Sequence, residues 1–554
     1  MAMRQIDLIK IYAKKRCLVI DDLSEIRGSI KRMLKVFGVE EVDTAANGED
    51  AVELCANHSY DIVLCDYNLG KGKDGQQILE ELRYRGLLKN TSLFIMITAE
   101  SSRDMVLGAL EYQPDDYMTK PITQSSLRAR LDKSLVRHED LYAIKKAIDQ
   151  KKYQAAVELC DKTIAKESRY EGLCKNMQAE LHQRLEEYDK AKAIYEGVLE
   201  ANPDNPAVWA KLGLGKTLIA LEKYPAAEEV LKEVLEVDTR YVEAHDLLAV
   251  CYNAQADGIR AQAEMKKACE VSPKSVLRQR RLAALAYKNQ DTETALKASR
   301  STVKLGQNSC YETPSDYFNL AGRLADTIGN SGTDSARYSK EAFEILQKVE
   351  QRYPRDKSIS LQVAAVNSRV YKAKKDEKEA KKWEETARDI YFEIEDEVDI
   401  EASLEYAHTL MANGDQKAAR RIFERIVAEN PKNLELAERI DSLSDEPVSK
   451  TGKKKVSDLT KKGIQCYEGK EYEEAIHIFK NAVAIYPKHI GLNLNLVQVI
   501  LAECDTNGVQ RKYRSICRKC LSSVKDIQAD NPQFDRFKFL QKQANNCFPD
   551  SASQ

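Results

Sequence analysis

The pattern of hydrophobic and polar positions changes near residue 140. Before that point, apolar runs of four or five residues occur at 17–20, 62–65 and 93–97, and a short, less apolar segment lies at 116–119. Longer amphipathic segments, such as 26–37, separate them. Buried parallel strands read as continuous apolar runs, and the helices that connect them are amphipathic. Residues 1–138 are therefore predicted to form a doubly wound α/β domain.

The last amphipathic segment of this region crosses the boundary at residue 138. From Thr123 onwards, Leu127, Leu131 and Leu135 recur at every fourth position, which is the spacing of one helix face. No glycine or proline interrupts the stretch that follows. We therefore expect one helix to run from Thr123 to about Lys151.

Beyond this helix the pattern repeats with a period of roughly 34 residues, which is typical of paired helices that stack into a solenoid. Small residues mark equivalent positions at close to this spacing: Ala156, Ala191, Ala227, Ala261 and Ala295. Large apolar residues follow four positions later, as at Tyr195 and Leu231. A small side chain is needed where the helices approach closely, because a larger one would overpack the contact.

The repeat becomes less regular towards the end of the chain. Alanines recur in similar contexts at Ala342, Ala419 and Ala475. Segment 307–333 interrupts the spacing, and in segment 372–397 the pattern is unclear.

These patterns divide the remainder of the chain into three parts. Residues 139–445 are predicted to form an all-α solenoid, and residues 459–554 a further helical region of the same kind. Residues 446–458 contain a proline, a glycine and four lysines, which favours a flexible basic linker.

Composition limits the classes of function. A chain of 554 residues exceeds the roughly 250–300 over which a single core grows, so several domains are expected. Charged residues make up 31% of the chain, but the net charge is only −2, so nucleic acid is not indicated as a partner. No run approaches 18 apolar residues and no signal peptide is evident, so we expect a cytoplasmic protein without a membrane partner. Thirteen scattered cysteines fit a reducing compartment.

Polar side chains follow the apolar runs where each predicted strand ends. Asp21 and Asp22 follow the first run and Asp66 follows the second. Thr98 ends the third run, and Lys120 follows the last. Because functional residues of parallel sheets lie beyond the carboxyl ends of the strands, we expect these side chains to converge around Asp66.

Over about residues 14–138, this set resembles the receiver domain of two-component response regulators, which has a flavodoxin-like fold. The resemblance implies that Asp66 accepts a phosphoryl group. It also implies a Mg²⁺ site in which Asp22 and Asp66 bind directly, Asp21 acts through water and Asn68 offers its backbone carbonyl. Such oxygen ligands suit Mg²⁺. The repeat that follows resembles tetratricopeptide repeats.

The same resemblance assigns three further roles. Lys120 neutralises charge that develops on the phosphoryl group during transfer. Thr98 and Tyr117 match the switch positions, where the threonine hydroxyl binds the phosphoryl group and the tyrosine turns inward. The loop after Asp66 departs from the family pattern, because it lacks the usual proline and has one extra residue. The resemblance therefore does not extend to the geometry of this loop or to the lifetime of the phosphoryl group.

Residues 210–217, with the sequence Ala-Lys-Leu-Gly-Leu-Gly-Lys-Thr, match a permissive form of a phosphate-binding loop. A genuine loop of this kind follows a strand and begins a helix. Here Leu214 lies one repeat period before Leu248, so the segment belongs to a repeat helix. We expect no ATPase activity from it.

The predicted function is that of a phosphorylation-switched response regulator whose output is protein–protein interaction through the solenoid. Its partners would be a histidine kinase or phosphotransfer protein and an unidentified protein on the repeats. We expect a signalling protein and not an enzyme, with a receiver that catalyses only its own phosphotransfer and dephosphorylation. The alternative is a constitutive scaffold whose receiver docks a partner without phosphorylation. A transcription factor or an enzyme in the solenoid is disfavoured, since no matching motif follows residue 140.

Overall fold

The computed structural model of the chain describes residues 8–99, 114–166, 169–328, 334–395, 397–525, 527, 529 and 531–548. Two compact units are present, Met1–Asp316 and Tyr317–Gln554. The first contains a β-sheet and an array of paired helices, and the described part of the second contains helices. None of the helices in these described ranges is long and apolar enough to cross a membrane.

A five-stranded parallel sheet forms the centre of the amino-terminal region. Its strands are β1 (Arg16–Ile20), β2 (Glu41–Ala45), β3 (Ile62–Asp66), β4 (Leu93–Thr98) and β5 (Asp116–Thr119). They pair in the order β2-β1-β3-β4-β5, and every residue of β3 and β4 is buried. The predicted doubly wound α/β fold is confirmed.

Helices cover both faces of this sheet. The described ones are α1 (Leu8–Tyr12), α2 (Ser24–Phe37), α3 (Gly48–Asn57), α4 (Gly75–Tyr84) and α5 (Gln124–Asp149). Leu34 of α2 and Leu127 of α5 belong to the core on one face, whereas Val52 of α3 and Ile78 of α4 belong to the core on the other. Because both faces are covered, the ends of the strands are where polar side chains can meet.

Helix α5 extends from the sheet into the repeats. It is a single helix of 26 residues, and Thr123 caps it by accepting a hydrogen bond from the backbone N–H of Ser126. Leu131 in its first half packs against the sheet, and Ile144 in its second half packs with the first repeat helices. The predicted continuous helix is therefore confirmed, with its end at Asp149.

Nine helices follow α5 in the described part of the first unit, and together with the second half of α5 they form five helix pairs. They are α6 (Tyr153–Ile164), α7 (Glu171–Arg184), α8 (Tyr188–Glu200), α9 (Val208–Ala220), α10 (Tyr224–Val237), α11 (Val242–Ala254), α12 (Gly258–Val271), α13 (Val276–Lys288) and α14 (Thr292–Gly306). The five alanines that define the repeat period are all 0% exposed: Ala156, Ala191, Ala227, Ala261 and Ala295. The predicted repeat register is confirmed.

The turn within each of these pairs has a feature that the hydrophobic pattern does not predict. Two positions before each second helix, a residue other than glycine adopts a left-handed backbone, with φ between 56° and 64°: Lys151, Glu186, Glu222, Ala256 and Gln290. Such a conformation is uncommon for residues with a Cβ atom and costs about 1–3 kcal/mol.

Helix α15 (Pro314–Ile328) spans the boundary between the units, and the described part of the second unit continues as a helical array. Its helices are α16 (Ser335–Arg352), α17 (Lys357–Ala373), α18 (Glu377–Glu393), α19 (Ile400–Asn413), α20 (Gln416–Glu429), α21 (Leu434–Leu443), α22 (Lys450–Glu468), α23 (Tyr472–Ile485), α24 (Ile490–Asn507), α25 (Arg511–Ser523) and α26 (Phe534–Cys547). Ala342, Ala419 and Ala475 are again 0% exposed. The pattern of segment 372–397 is unclear, yet this segment contains the whole of α18.

The prediction of a flexible linker at 446–458 is wrong for most of that segment. Helix α22 begins at Lys450, and the Ser449 side chain caps it by accepting a hydrogen bond from the Gly452 N–H. Gly452 is not a flexible position. A Cβ atom there would lie 2.0 Å from Oδ2 of the buried Asp441, which also accepts a hydrogen bond from the Val448 N–H at 2.7 Å. The lysines lie in a helix, for which lysine has a good propensity.

The segment that resembles a phosphate-binding loop lies inside helix α9. A Cβ atom at Gly213 would lie 2.2 Å from Cζ of Tyr195, and one at Gly215 would lie 2.7 Å from Cδ2 of Leu231. Lys216 pairs with Glu243 of the next repeat. The glycines allow helices to pack closely, so the interpretation of this segment as a repeat helix is confirmed.

Candidate functional site

Three carboxylates lie together at the carboxyl ends of β1 and β3. Asp66 is the last residue of β3, and Asp21 and Asp22 follow β1 directly. Each offers one oxygen atom within 4.8 Å of the others. Asp21 and Asp66 are buried, and Asp22 is exposed. The structure thus brings together the three acidic residues that the sequence placed at strand ends.

The ammonium group of Lys120 lies between two of these carboxylates. Its Nζ donates hydrogen bonds to Oδ2 of Asp21 and to Oδ2 of Asp66, both at 2.9 Å. The backbone N–H of Lys120 donates to the carbonyl oxygen of Thr98 at 2.7 Å, which holds the segment that follows β5 against the end of β4. Burial lowers the pKa of Lys120, but the hydrogen bonds to Asp21 and Asp66 outweigh it, so the pKa lies above its usual value. Lys120 is therefore held in its charged form.

Asp66 is only 5% exposed, and its burial has an electrostatic consequence. Burial raises the pKa of its carboxyl group, and the negative charge of Asp21 raises it further. Hydrogen bonds from Lys120 and from the backbone N–H of Asn68 oppose this effect without cancelling it. Asp21 and Asp66 thus share one ammonium group, and Asp22 adds a third carboxylate to the cluster, which leaves it short of positive charge.

The donor set fits a hard divalent cation. Mg²⁺ prefers oxygen ligands, keeps several water molecules and needs only one or two protein carboxylates. Asp22 is exposed and can bind a hydrated ion, whereas Asp21 is already engaged by Lys120. Asn68 is exposed at the start of the following loop. Bound cation would also relieve the charge imbalance around Asp66.

Two contacts that hold Asp21 are not evident from the sequence. The backbone N–H of Leu23 donates to Oδ1 of Asp21 at 2.9 Å. Nη1 of Arg27 donates to the backbone carbonyl oxygen of Asp21 at 2.5 Å. Arg27 lies on α2, one turn after the acid pair, and its position on the amphipathic helix is the only sequence signal for this role.

The two predicted switch residues lie on neighbouring strands. Thr98 ends β4 and is 3% exposed. Tyr117 lies in β5, half buried against the core that α3 and α4 cover. The register pairs Met96 with Tyr117 and Thr98 with Thr119. Thr98 therefore lies on the strand next to β3 and Tyr117 on the strand beyond it, both on the side of β3 away from β1.

The loop at 67–74 connects β3 to α4 and contains the extra residue. Gly70 and Gly72 adopt left-handed backbones, with φ of 74° and 97°. Gly75 begins α4, and a Cβ atom there would lie 2.4 Å from the carbonyl oxygen of Asp66. Glycines thus allow the loop to turn and to return close to the residue where it began.

A residue of the solenoid contacts this loop. Lys274, between α12 and α13, donates a hydrogen bond from Nζ to the hydroxyl of Tyr67 at 3.0 Å. The same Nζ also lies over the Tyr67 ring, 5.0 Å from its centre. Tyr67 follows Asp66 directly and is 6% exposed. The two residues are 207 positions apart, and no local pattern in the sequence predicts their contact.

Comparisons with known proteins agree with this architecture. A family model described as the response regulator receiver domain matches residues 17–132, and a tetratricopeptide repeat model matches 147–215 and 186–251. The chemotaxis protein CheY-3 of Vibrio cholerae serotype O1 is 30% identical over 122 residues, which is 22% of this chain and 92% of that protein.

Two solved structures were also found. A CheY-like response regulator receiver domain protein from Methanospirillum hungatei is 28% identical, with 23% of this chain and 96% of that chain covered and a TM-score of 0.21. MamA from Desulfovibrio magneticus is 18% identical, with 29% and 90% covered and a TM-score of 0.26.

The receiver match includes every residue of the acid cluster together with Lys120. CheY-3 is matched over nearly its whole length, and the repeat match begins at residue 147, shortly after the receiver match ends at residue 132. The chain therefore belongs to the response regulator receiver family, with its receiver domain followed by tetratricopeptide repeats.

Proposed function

We propose that this chain is a phosphorylation-switched response regulator in which Asp66 accepts a phosphoryl group and the repeats bind a protein partner. The observation that carries the proposal is the contact of Lys120 with both Asp21 and Asp66, next to the exposed Asp22. This set supplies a buried carboxylate, a fixed positive charge and ligands for a divalent cation.

In the proposed reaction Asp66 is the nucleophile. One of its carboxylate oxygens attacks the phosphorus of a phosphorylated histidine on a kinase or phosphotransfer protein. A P–O bond forms and the P–N bond breaks, and the imidazole leaves with the electron pair and takes up a proton. Lys120 lies 2.9 Å from Asp66 and neutralises charge that develops on the phosphoryl group.

The metal ligands of the proposal are those described above. Asp22 and Asp66 would bind Mg²⁺ directly, Asp21 through water, and Asn68 through its backbone carbonyl. When bound, Mg²⁺ would stabilise the negative charge that develops on the phosphoryl group. Apart from this self-directed chemistry of the receiver, we propose no enzymatic activity.

The proposed switch begins with the charge that phosphorylation adds, roughly −1.5 to −2 at neutral pH. The Thr98 hydroxyl binds the phosphoryl group, and Tyr117 turns further into the core. Helix α5 packs on the sheet with its first half and on the repeats with its second. A tilt of this continuous helix is one route by which the change reaches the first repeat.

Phosphoryl uptake tests the acceptor assignment. Full-length parent protein, Asp66→Asn and Lys120→Ala are incubated with acetyl phosphate and Mg²⁺, and the phosphorylated fraction is measured by intact mass. We expect no uptake by Asp66→Asn, strongly reduced uptake by Lys120→Ala, and none by the parent in EDTA. The matched control is Asp50→Asn, which changes an exposed carboxylate at the start of α3. Equal uptake by Asp66→Asn and the parent would refute the assignment.

A second experiment tests the output. The parent and Asp66→Asn are used to capture partners from native lysate, with and without beryllofluoride as a phosphoryl mimic. We expect beryllofluoride to change the captured protein for the parent alone. A partner that binds both forms equally under both conditions would support the constitutive scaffold instead.

A further inference from the structure

Two loops of the solenoid contact the receiver within the first unit. Lys274 precedes α13 and donates its hydrogen bond to Tyr67. Tyr311 precedes α15, and its ring meets that of Tyr84 edge to face, with centres 5.6 Å apart and an angle of 72°. Each loop leads into the first helix of a repeat, and the two repeats are consecutive. The contacts therefore come from similar positions in neighbouring repeats.

The contacted surface of the receiver is the polar face of α4. Gln76 is 4% exposed and Glu80 is 6% exposed, although both belong to residue types that usually face solvent. The amide Nε2 of Gln76 donates to Oε1 of Glu80 at 3.2 Å. Burial raises the pKa of the Cys310 thiol to about 11, and the nearby charges of Glu80 and Glu81 add to this. The loop around residue 310 thus lies against the acidic side of α4.

Lys274 interacts with residues at both ends of the 67–74 loop. At the start of the loop it is bonded to Tyr67. At the end of the loop, burial raises the pKa of Asp74, and the positive charge of Lys274 is one of the effects that lower it. Asp74 also caps α4 by accepting a hydrogen bond from the Gln77 N–H at 2.9 Å. One ammonium group therefore lies near both ends of the loop that contains Asn68.

The two solenoid loops are linked to each other. Nη2 of Arg280, on α13, donates to the backbone carbonyl oxygen of Tyr311 at 2.7 Å. The same guanidinium pairs with Asp316 at 2.7 Å, and Asp316 is only 5% exposed. A displacement of the Lys274 loop would therefore be transmitted through α13 to the Tyr311 loop.

We propose that residues 272–275 and 309–312 form an intramolecular docking surface for α4 and the 67–74 loop, and that Lys274 couples the state of Asp66 to the repeats. This inference rests on the proposed function, because it gives the phosphorylated site a second connection to the solenoid besides α5. Linkage makes the coupling reciprocal: a change at the loop alters the docking contact, and the docking contact alters the loop's affinity for its ligands.

Hydrogen exchange of the full chain tests the coupling. Exchange is measured with and without Mg²⁺ and beryllofluoride in the parent, Lys274→Met and Tyr67→Phe. In the parent we expect beryllofluoride to change exchange in both 62–75 and 272–288. In both variants the response at 62–75 should remain, and the response at 272–288 should fall by at least half. The control is Lys288→Met, which removes the same charge from an exposed position on the same repeat and should behave as the parent.

The outcomes separate the two proposals. If 62–75 in the parent does not respond to beryllofluoride, the proposed function fails. If 62–75 responds but 272–288 responds equally in the parent and in Lys274→Met, the coupling is refuted. A measurement without beryllofluoride tests the docking contact alone. There Lys274→Met and Tyr67→Phe should speed exchange in 67–74 severalfold relative to Lys288→Met, and unchanged exchange in both variants would show that the contact does not hold the loop.

Discussion

Two glycine-rich stretches of this chain, 68–75 in the receiver and 210–217 in the repeats, use glycine for different purposes. In the first, Gly70 and Gly72 supply left-handed turns, and Gly75 lets the backbone come close to the carbonyl of Asp66. In the second, glycines inside a straight helix leave room for the side chains of Tyr195 and Leu231.

The structural surroundings of these two stretches explain why their glycines have different roles. The receiver loop follows a buried strand whose last residue is the carboxylic acid bonded to Lys120, so its glycines shape a site. The repeat segment follows another helix at the solenoid period, so its glycines serve packing. Substitutions should therefore affect phosphoryl chemistry in the first stretch and only stability in the second.

The largest expected effect is that of Gly75→Ala. Its Cβ would lie 2.4 Å from the carbonyl oxygen of Asp66 and 3.0 Å from Cα of Tyr67, and backbone atoms cannot rotate away. A displacement of this kind near a reacting group can cost about 100-fold in rate. We expect the rate of phosphoryl uptake from acetyl phosphate to fall by about that factor.

Gly28→Ala is the matched control for Gly75→Ala. Gly28 lies in α2, and a Cβ atom there would make only an ordinary contact of 3.8 Å with Nη1 of Arg32. Uptake should be unchanged. If Gly75→Ala retained the parent's rate, the close approach of the loop to Asp66 would not matter for the chemistry.

The next effect in size concerns Gly213→Ala in α9. Its Cβ would lie 2.2 Å from Cζ of the buried Tyr195, so we expect a loss of about 1–3 kcal/mol in the free energy of unfolding of the repeats. Phosphoryl uptake should stay at the parent's level. Chemical denaturation followed by circular dichroism measures the first quantity.

Gly197→Ala provides the opposite control in a neighbouring helix. Gly197 is an exposed residue within α8, and a Cβ atom there would meet nothing within 4 Å among the described atoms. This variant should gain about 0.5–1 kcal/mol, because alanine has the higher helix propensity. Equal destabilisation of both variants would show that the contact with Tyr195 is not the cause.

The smallest effect is a dependence of stability on pH that comes from Asp66, which directly precedes the receiver loop. In the folded chain burial raises the pKa of Asp66 above its ordinary value of 3.8. A group with a raised folded pKa contributes stability that is fully present below the unfolded pKa and is lost as pH rises through the folded pKa. In EDTA, the free energy of unfolding of the parent should therefore fall relative to that of Asp66→Asn as the pH rises from 3.8 through the raised pKa of Asp66. Parallel curves in urea titrations across this pH range would contradict the assignment.

Much of the fold follows from local patterns in the sequence. Strands β1, β3 and β4 are apolar runs, whereas β2 has the sequence Glu-Val-Asp-Thr-Ala and was not predicted. Asp21, Asp66 and Lys120 lie at the ends of β1, β3 and β5, so parallel topology alone brings them together. The alanine period predicts the repeats because the same close contact recurs in each pair. The resemblance to receivers added roles for Thr98 and Tyr117 that spacing alone does not provide.

Contacts between distant residues could not be predicted in this way. Nothing near Lys274 distinguishes it from other surface lysines, because its partner Tyr67 lies 207 positions earlier. The linker prediction failed for a similar reason. Glycine and lysines next to a proline are typical of a flexible segment, but the close approach of Gly452 to Asp441 depends on tertiary packing.

The left-handed turns of the repeats have a consequence for how this protein could be adapted. Each of the five turns strains a residue that carries a Cβ atom, at about 1–3 kcal/mol, whereas the added freedom of a glycine in the unfolded chain costs about 0.4–1 kcal/mol. Replacement by glycine should therefore raise heat tolerance one repeat at a time. The stability of a solenoid is approximately a sum over its repeats and their interfaces. The stability of this array could therefore be raised in steps, without changing the packed alanines or the receiver.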